Sequence, residues 1–309
     1  MTIRREGTVV GIDSRRIWVE VEGERIAASA RGLLKAGARV SGNVVAVGDR
    51  VRLHPDPAGA VVEEVEARRN VVARADPGDD RRALLMAANL DRVVVVVSAR
   101  LPRFQARALD RLLIVAECAG VPPLVACNKM DLVAASEMEE ALAPYRSLAY
   151  PVHEVSALHG LGCPELASAL TGRISLLLGA SGVGKSALIN RLVPGSDLRT
   201  GPVSAATSKG VHTTTRVEWI RLPGGGVILD APGIRSIQPW GLVPSALASH
   251  FPEMRRLAPC RFRDCLHLGE PGCEVLRALA EGRITASRHD SYVRLLRSLA
   301  GERPPEQTV

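Results

Sequence analysis

The sequence predicts a multidomain protein with an N-terminal β-barrel, a central α/β domain and a mainly helical, metal-binding C-terminal domain. Three observations predict this fold class. Short strand-like segments lie within residues 1–72, strands and helices alternate from residue 92, and Cys and His residues cluster after residue 259. A chain of 309 residues is long enough for two or three domains. We expect the domain limits at 1–72, 73–240 and 241–309.

The composition is that of a globular protein with a packed core, because 46% of the residues are hydrophobic and 24% are charged. No apolar run approaches the length of a membrane span, and the N-terminus lacks the apolar core of a signal peptide. We therefore expect a cytoplasmic protein without membrane association, and we expect a monomer. The net charge of +7 favours a polyanionic partner such as RNA, although excess charge also aids solubility.

The N-terminal region contains about five segments of strand-like composition separated by turn residues. They are residues 7–12, 16–21, 25–28, 44–53 and 59–65. Five strands in this length are typical of a small closed barrel of the oligonucleotide-binding (OB) type. Basic residues such as Arg5, Arg16 and Arg50 could contact phosphates. The barrel is therefore either an RNA-binding module or one with a merely solvated basic surface.

Residues 74–82 are polar and include a Pro-Gly pair, which predicts a linker or a loop entering the next domain. Beyond this segment, predicted strands alternate with predicted helices. The strands are 92–98, 123–127, 153–156, 174–178 and 226–229, and the helices are 106–119, 134–148, 163–170 and one beginning at 187. This alternation is typical of a parallel sheet with helices on both faces.

A glycine-rich loop between a strand and a helix has the phosphate-loop pattern. Two glycines are separated by four residues and followed by Lys and Ser. Such glycines let main-chain N–H groups turn inward around phosphate oxygens at the positive end of a helix. We expect Lys185 to reach the outer phosphates and Ser186 to bind Mg²⁺; the alternative is a glycine turn without a ligand. The predicted residues are Gly179, Ala180, Ser181, Gly182, Val183, Gly184, Lys185 and Ser186.

A second motif, Asn128-Lys129-Met130-Asp131, follows a predicted strand at the edge where such sheets bind ligands. The Asp131 carboxylate can accept hydrogen bonds from N1–H and the 2-amino group of guanine, and adenine offers neither donor there. Asn128 can bond the other polar edge of the base, and the stem of Lys129 can lie along the ring. The loop beginning at Ser156 and Ala157 is suited to a further base contact.

Two segments downstream of the glycine loop are suited to sensing a γ-phosphate. Residues 208–215 form a polar stretch in which one Thr could complete Mg²⁺ coordination. Asp230 is suited to a Mg²⁺ contact, and the Gly233 N–H could reach the γ-phosphate. Many small GTPases have a water-orienting Gln after this glycine, but here the residue is Ile234. His212 is the nearest chemically able substitute, and the alternative is a loop histidine without a role.

The C-terminal cluster has the spacing C-x4-C-x-H-x5-C and contains Cys260, Cys265, His267 and Cys273. Three thiolates and one imidazole fill a tetrahedral zinc site and leave no open position, so the metal should be structural. The alternative is a set of unrelated buried cysteines.

In ordinary GTPases the phosphate loop precedes the Asn-Lys-x-Asp strand, whereas here the order is reversed, as in a circular permutation. Together, the barrel, the permuted order, the Gly-x-His-Thr-Thr-Thr loop and the zinc spacing resemble one family. It is the bacterial small ribosomal subunit biogenesis GTPase family, also called ribosome small-subunit-dependent GTPase A. The resemblance covers nearly the whole chain, except the tail after about Gly301.

The resemblance implies an OB-type barrel, a circularly permuted P-loop GTPase domain and a zinc domain. It implies GTP hydrolysis stimulated by the 30S subunit, late maturation of that particle and contact with 16S rRNA. Base recognition carries over to Asn128, Lys129 and Asp131, and phosphate and Mg²⁺ binding to residues 179–186, with Ala187 adjoining. The switch and catalytic roles carry over to His212, Thr214 and Asp230, with Thr214 and Asp230 on Mg²⁺. One zinc ion carries over to the four cluster residues.

Two other functions remain open at this stage. The first is a nucleotide-gated RNA-binding switch with negligible catalysis. The second is an ATP-dependent enzyme acting on a metabolite, which Asp131 disfavours because a carboxylate there finds no donors on adenine.

Overall fold

The computed structural model describes residues 5–13, 16–30, 44–56, 59–76, 79–198, 217–231 and 239–301. Its first five strands are β1 (Arg5–Ile12), β2 (Ile17–Val21), β3 (Glu24–Ala30), β4 (Arg50–Asp56) and β5 (Gly59–Val65). They close into a barrel with the neighbour order β1-β2-β3-β5-β4, which confirms the predicted barrel. Alternate residues of β2 are buried, because successive side chains of a strand point to opposite faces.

Strands β6 (Val71–Asp76) and β7 (Asp79–Ala88) form an antiparallel hairpin between the barrel and the central sheet. The prediction of a linker or loop across residues 74–82 was therefore wrong. A Pro-Gly pair is equally compatible with a short connection between two paired strands, and the polar composition concealed the pairing. The hairpin is tied to the barrel, since the Ala88 N–H donates to the Val47 carbonyl at 2.9 Å.

The central domain is built on a six-stranded sheet. Its strands are β8 (Arg92–Ser98), β9 (Pro123–Asn128), β10 (Val152–Glu154), β11 (Ile174–Leu178), β12 (Glu218–Arg221) and β13 (Val227–Asp230). Their order is β10-β9-β8-β11-β13-β12, and every neighbouring pair is parallel except β12 and β13. The sequence predicted the five parallel strands but did not identify β12, an antiparallel strand at the edge.

Helices cover both faces of this sheet, as predicted. On one face, α1 (Ala106–Cys118) and α2 (Ala135–Ser147) share a hydrophobic cluster with Val93 and Val95. On the other face, α3 (Cys163–Leu170) and α4 (Lys185–Leu192) share one with Val94 and Val96. Because β8 is buried on both faces, its sequence is a continuous apolar run rather than an alternating one.

The C-terminal region is mainly helical. It contains a 3₁₀ helix (Pro244–His250), α5 (Pro252–Arg255), α6 (Glu274–Ala280) and α7 (Ala286–Leu299). Its apolar cluster includes Ile114, so the region packs on α1 of the central domain. Within the described ranges, none of the helices combines the length and apolar character needed to cross a membrane.

Candidate functional site

The phosphate-loop residues lie between the end of β11 and the start of α4, as the motif requires. Gly182 and Gly184 have φ angles of +83° and +93°, which L side chains rarely adopt. A Cβ atom on Gly179 would lie 2.5 Å from the Val96 carbonyl oxygen, and one on Gly184 would overlap the side chain of Asn128. The glycines are therefore required by the turn and by its close packing against β8 and β9. Ser181 and Gly182 are exposed, whereas Val183 is buried.

Lys185 and Asp230 form the charged centre of the site. The Lys185 side chain is buried, and its ammonium donates to the Gly179 carbonyl at 2.9 Å. Burial lowers the pKa of Lys185, and the Asp230 carboxylate opposes this shift. Burial also raises the pKa of Asp230 to about 6, although the positive charge of Lys185 acts to lower it.

The Asp230 carboxylate offers a ligand position that no described residue fills. Its Oδ1 is buried and has no hydrogen-bond partner among the residues that the structure describes. Asp230 ends β13 and is paired in register with Leu177, two residues before the phosphate loop. A buried carboxylate oxygen without a partner, next to a phosphate loop, fits a hard cation such as Mg²⁺.

Asn128 joins residues 128–131, here named the base segment, to the phosphate loop. This side chain is 1% exposed, and its Nδ2 donates to the Val183 carbonyl at 3.0 Å. Its Oδ1 accepts from the Ala157 N–H, also at 3.0 Å. Both polar groups of Asn128 are thus engaged with main chain on either side of it.

The rest of the base segment follows β9 directly. Lys129 has a left-handed φ of 64°, and its ammonium donates to the Gly182 carbonyl at 2.7 Å and to the Leu101 carbonyl. The aliphatic stem therefore spans from the base segment to the phosphate loop. Met130 packs its side chain into the core, whereas the Asp131 side chain is exposed.

The loop after β10 completes this edge of the sheet. The Ser156 hydroxyl donates to Asp131 Oδ1 at 2.6 Å, which orients that carboxylate. Sequence reasoning missed Arg191 of α4, whose Nε donates to the Ala157 carbonyl at 2.9 Å and fixes the loop. No local pattern identifies Arg191, because the two residues are 34 positions apart.

The structure thus brings residues 128–131, 156–157, 179–187 and Asp230 together at the carboxyl edge of the sheet. Ala187 is half-buried in the first turn of α4, next to Ser186. His212, Thr214 and Gly233 lie outside the described residues.

The four C-terminal cluster residues converge on one point. The Nδ1 atom of His267 lies 3.3–3.6 Å from the three sulfur atoms, and the Cys260 and Cys273 sulfurs are 3.9 Å apart. A tetrahedral zinc ion, with bonds of about 2.3 Å to sulfur and about 2.0 Å to nitrogen, separates its ligand atoms by roughly 3.5–3.8 Å. The donor set and its spacing therefore fit a metal ion.

The loop that carries two of these residues is held from both sides. The Glu270 carboxylate accepts from the Leu266 and Leu268 N–H groups, each at 2.8 Å. The Tyr292 hydroxyl donates to the Leu266 carbonyl at 2.9 Å from α7. These contacts orient His267 and Cys265 toward the cluster.

Comparison with known proteins gives consistent matches along the chain. The family model described as RsgA GTPase matches residues 65–240. The small ribosomal subunit biogenesis GTPase RsgA of Gemmatimonas aurantiaca is 42% identical over 284 residues, covering 91% of this chain and 92% of that protein. The crystal structure of YjeQ from Thermotoga maritima is 33% identical, with a TM-score of 0.77, and covers 97% of this chain and 100% of that one. The structure of YloQ, a circularly permuted GTPase, shares the fold with a TM-score of 0.70 at 24% identity and 98% coverage of both chains.

Proposed function

The chain belongs to the RsgA GTPase family and is therefore a GTPase, and on this premise we propose that it acts in biogenesis of the small ribosomal subunit. Its curated relatives carry that function in their names. We propose further that it binds the 30S subunit and 16S rRNA during late maturation. In this proposal the subunit stimulates hydrolysis of GTP to GDP and phosphate. The chain would act as a cytoplasmic monomer, with domain limits near residues 72 and 240.

One observation supports the site assignment most directly. Asn128 links the base segment and the phosphate loop through a single buried side chain, so the two segments lie next to each other. In this assignment Asp131, oriented by Ser156, accepts from guanine, and the stem of Lys129 flanks the ring. The main-chain N–H groups of the glycine loop and the Lys185 ammonium hold the phosphates.

Ser186, Thr214 and Asp230 would hold Mg²⁺, which neutralises charge that develops on the phosphates. Asp230 Oδ1 supports this assignment, because it is buried and finds no hydrogen-bond partner in the described part of the chain. His212 would orient the attacking water, with the Gly233 N–H at the γ-phosphate. His212→Ala should then abolish turnover while GTP affinity is retained.

Cys260, Cys265, His267 and Cys273 would hold one structural zinc ion. The position of α7 supports this, because Tyr292 and the cluster share the core of the C-terminal region. With all four ligand positions filled by protein, the metal would stabilise that region and take no part in hydrolysis.

The proposed function is tested by GTP turnover with and without purified 30S subunits. We expect slow hydrolysis by the protein alone and a rise of roughly tenfold or more on adding 30S subunits, because the subunit would order the catalytic groups. Purified 50S subunits serve as the control and should leave turnover unchanged. Equal turnover with and without 30S subunits would refute the proposed partner, although not the GTPase activity.

A further inference from the structure

A groove of about 550 Å³ lies between the barrel and the edge of the central sheet. One wall comes from β1, β2 and β3 of the barrel, and the other from residues 217–220, which lead into and include most of β12. Trp18 lines one wall and Trp219 the other, and the whole chain has only three tryptophans. Of the nucleotide-site residues that the structure describes, none lines this groove.

The indole of Trp18 is half-buried on the barrel and lies next to Gly11. Its cross-strand partner is Gly11, which has no side chain to cover the ring. The ring is also held in place, because Nε1 donates to Asp13 Oδ2 at 3.2 Å. A fixed indole opposite a glycine is a platform on which a flat group can stack.

Trp219 lines the opposite wall and also packs against the apolar core of the central sheet. Its Nε1 is buried and has no hydrogen-bond partner among the residues that the structure describes. Because this N–H is covered from solvent, it reaches an acceptor on a ligand only if the indole turns toward the groove. Ring nitrogens and carbonyl oxygens of nucleobases are such acceptors.

We propose that this groove binds one unstacked nucleobase of single-stranded RNA, stacked on Trp18. The inference rests on the proposed function, because it names the part of the subunit RNA that the barrel would recognise. The base itself lies between the walls, while its phosphates remain at the rim near the exposed Arg25. The carboxylate of Glu218, also exposed at the groove, would accept from a base amino group but would repel a phosphate.

Position explains why such a contact would matter for hydrolysis. β12 is paired with β13, and Glu218 lies opposite Asp230 in that ladder. A base held against β12 therefore contacts the strand that is hydrogen-bonded to the strand carrying the proposed Mg²⁺ ligand. The barrel and sheet are already coupled here by the ion pair between Arg221 and Glu20.

The test measures binding of a fluorescein-labelled, single-stranded RNA of about eight nucleotides to the full chain by fluorescence anisotropy. The variants are Trp18→Leu, which removes the aromatic ring, and Trp18→Phe, which keeps one. Trp240→Leu is the matched control, because Trp240 is also half-buried and does not line the groove.

We expect Trp18→Leu to weaken binding roughly 5- to 150-fold, the range for losing one stacked base. Trp18→Phe should stay within roughly threefold of the native protein, and so should Trp240→Leu. The slope of log affinity against log salt should not change in Trp18→Leu, because stacking releases no counterions. The same sequence as a duplex should bind more weakly than the single strand.

The inference is overturned if Trp18→Leu binds as the native protein does, if Trp18→Phe loses as much as Trp18→Leu, or if the salt slope changes by about one unit or more. Turnover with 30S subunits is measured in parallel. If 30S subunits stimulate the native protein but Trp18→Leu still binds RNA normally, only the proposed base-binding role of the groove is refuted. If Trp18→Leu loses RNA binding but 30S subunits do not stimulate the native protein, only the proposed function is refuted.

Discussion

The amide of Asn128 donates to the Val183 carbonyl at 3.0 Å, so the segment proposed to read the base also fixes the phosphate loop. The sequence alone assigned Asn128 to the polar edge of the base. In the structure its two polar groups bond main chain on either side, and we therefore propose a positioning role. Such a link lets both ends of the nucleotide site form before the ligand binds.

Asn128→Asp should break the link between the base segment and the phosphate loop. The change removes the donor and places a carboxylate oxygen against the Val183 carbonyl. We expect the free energy of unfolding to fall by about 1–3 kcal/mol, because buried polar groups lose their partners. Affinity for GDP and GTP should fall roughly tenfold or more through the loss of alignment. Chemical denaturation and titration with a fluorescent GDP analogue measure the two effects.

Asn190→Asp is the matched control for Asn128→Asp. Asn190 also donates its amide to a carbonyl, that of Leu198 at 2.9 Å, and accepts from the Leu198 N–H at 3.0 Å. It lies on α4, and neither bond reaches the base segment. We expect lost stability without a matching loss of nucleotide affinity. Equal losses of affinity in the two variants would contradict a specific positioning role for Asn128.

Asp131→Asn should change which base is preferred. The amide presents a donor where guanine also presents one, so GTP binding should weaken and xanthosine triphosphate should bind better. Competition of the two nucleotides for the site measures the change. Ser156→Ala removes the 2.6 Å bond that orients the carboxylate and serves as the control. Ser156→Ala should weaken GTP binding without favouring xanthosine triphosphate. An unchanged base preference in Asp131→Asn would show that Asp131 does not recognise the base.

Local sequence signals predicted the parts of the fold that depend on local chemistry. The buried apolar run at 92–98 and the glycine loop at 179–186 each contain their own evidence, and both lie where predicted. The order of motifs also indicated the permuted arrangement shared with YloQ. The four residues of the metal cluster were identifiable because thiolate and imidazole ligands are rare and closely spaced.

Features that depend on distant partners could not be predicted in this way. β12 is only four residues long and half-exposed, so its composition gives little strand signal. The hairpin of β6 and β7 pairs polar residues that also suit a loop. Arg191 and Arg288 are ordinary basic residues in their own helices. Arg191 bonds the Ala157 carbonyl, 34 positions away, and Arg288 bonds the Asp110 carboxylate, 178 positions away.

Removal of the metal ligands should affect the C-terminal region and spare the nucleotide site. We expect one zinc ion per native chain by elemental analysis, and none in Cys265→Ala. The variant should unfold at lower temperature because metal binding contributes to folding. Its GDP affinity should stay native, since the described apolar core that contains the cluster cysteines includes no residue of the phosphate loop.

Cys118→Ala is the control for the metal prediction, because Cys118 is partly buried in the same apolar cluster but lies on α1. It should keep the full zinc content. A native protein that retains no metal after purification in zinc-containing buffer would contradict the assignment, whatever the behaviour of the variants.

Arg288 of α7 joins the C-terminal region to the central domain through buried charges. Its guanidinium lies 2.6 Å from Asp110 of α1 and 2.7 Å from Glu253 of α5, and the three side chains are 3%, 0% and 7% exposed. Burial acts to lower the pKa of Arg288, but the two carboxylates outweigh it and raise the pKa. The Tyr145 hydroxyl adds a bond to Asp110 at 2.9 Å from α2.

Arg288→Met should therefore be far more damaging than the loss of a surface ion pair. It leaves two carboxylates buried without their cation, and we expect the free energy of unfolding to fall by about 3–5 kcal/mol. Arg294→Met, on the same helix, breaks a partly exposed pair with Asp290 and should cost about 1 kcal/mol or less. Chemical denaturation compares the two.

Combining Arg288→Met with Asp110→Leu and Glu253→Gln should recover much of the loss, because the isolated charges are then removed. Such recovery would show that unpaired charge, rather than lost packing, causes the loss of stability. Packing is largely kept in these variants, because Met places apolar bulk over the Phe251 ring, whose centroid lies 4.7 Å from the native guanidinium. If the combined variant were no more stable than Arg288→Met alone, lost packing rather than charge would explain the damage.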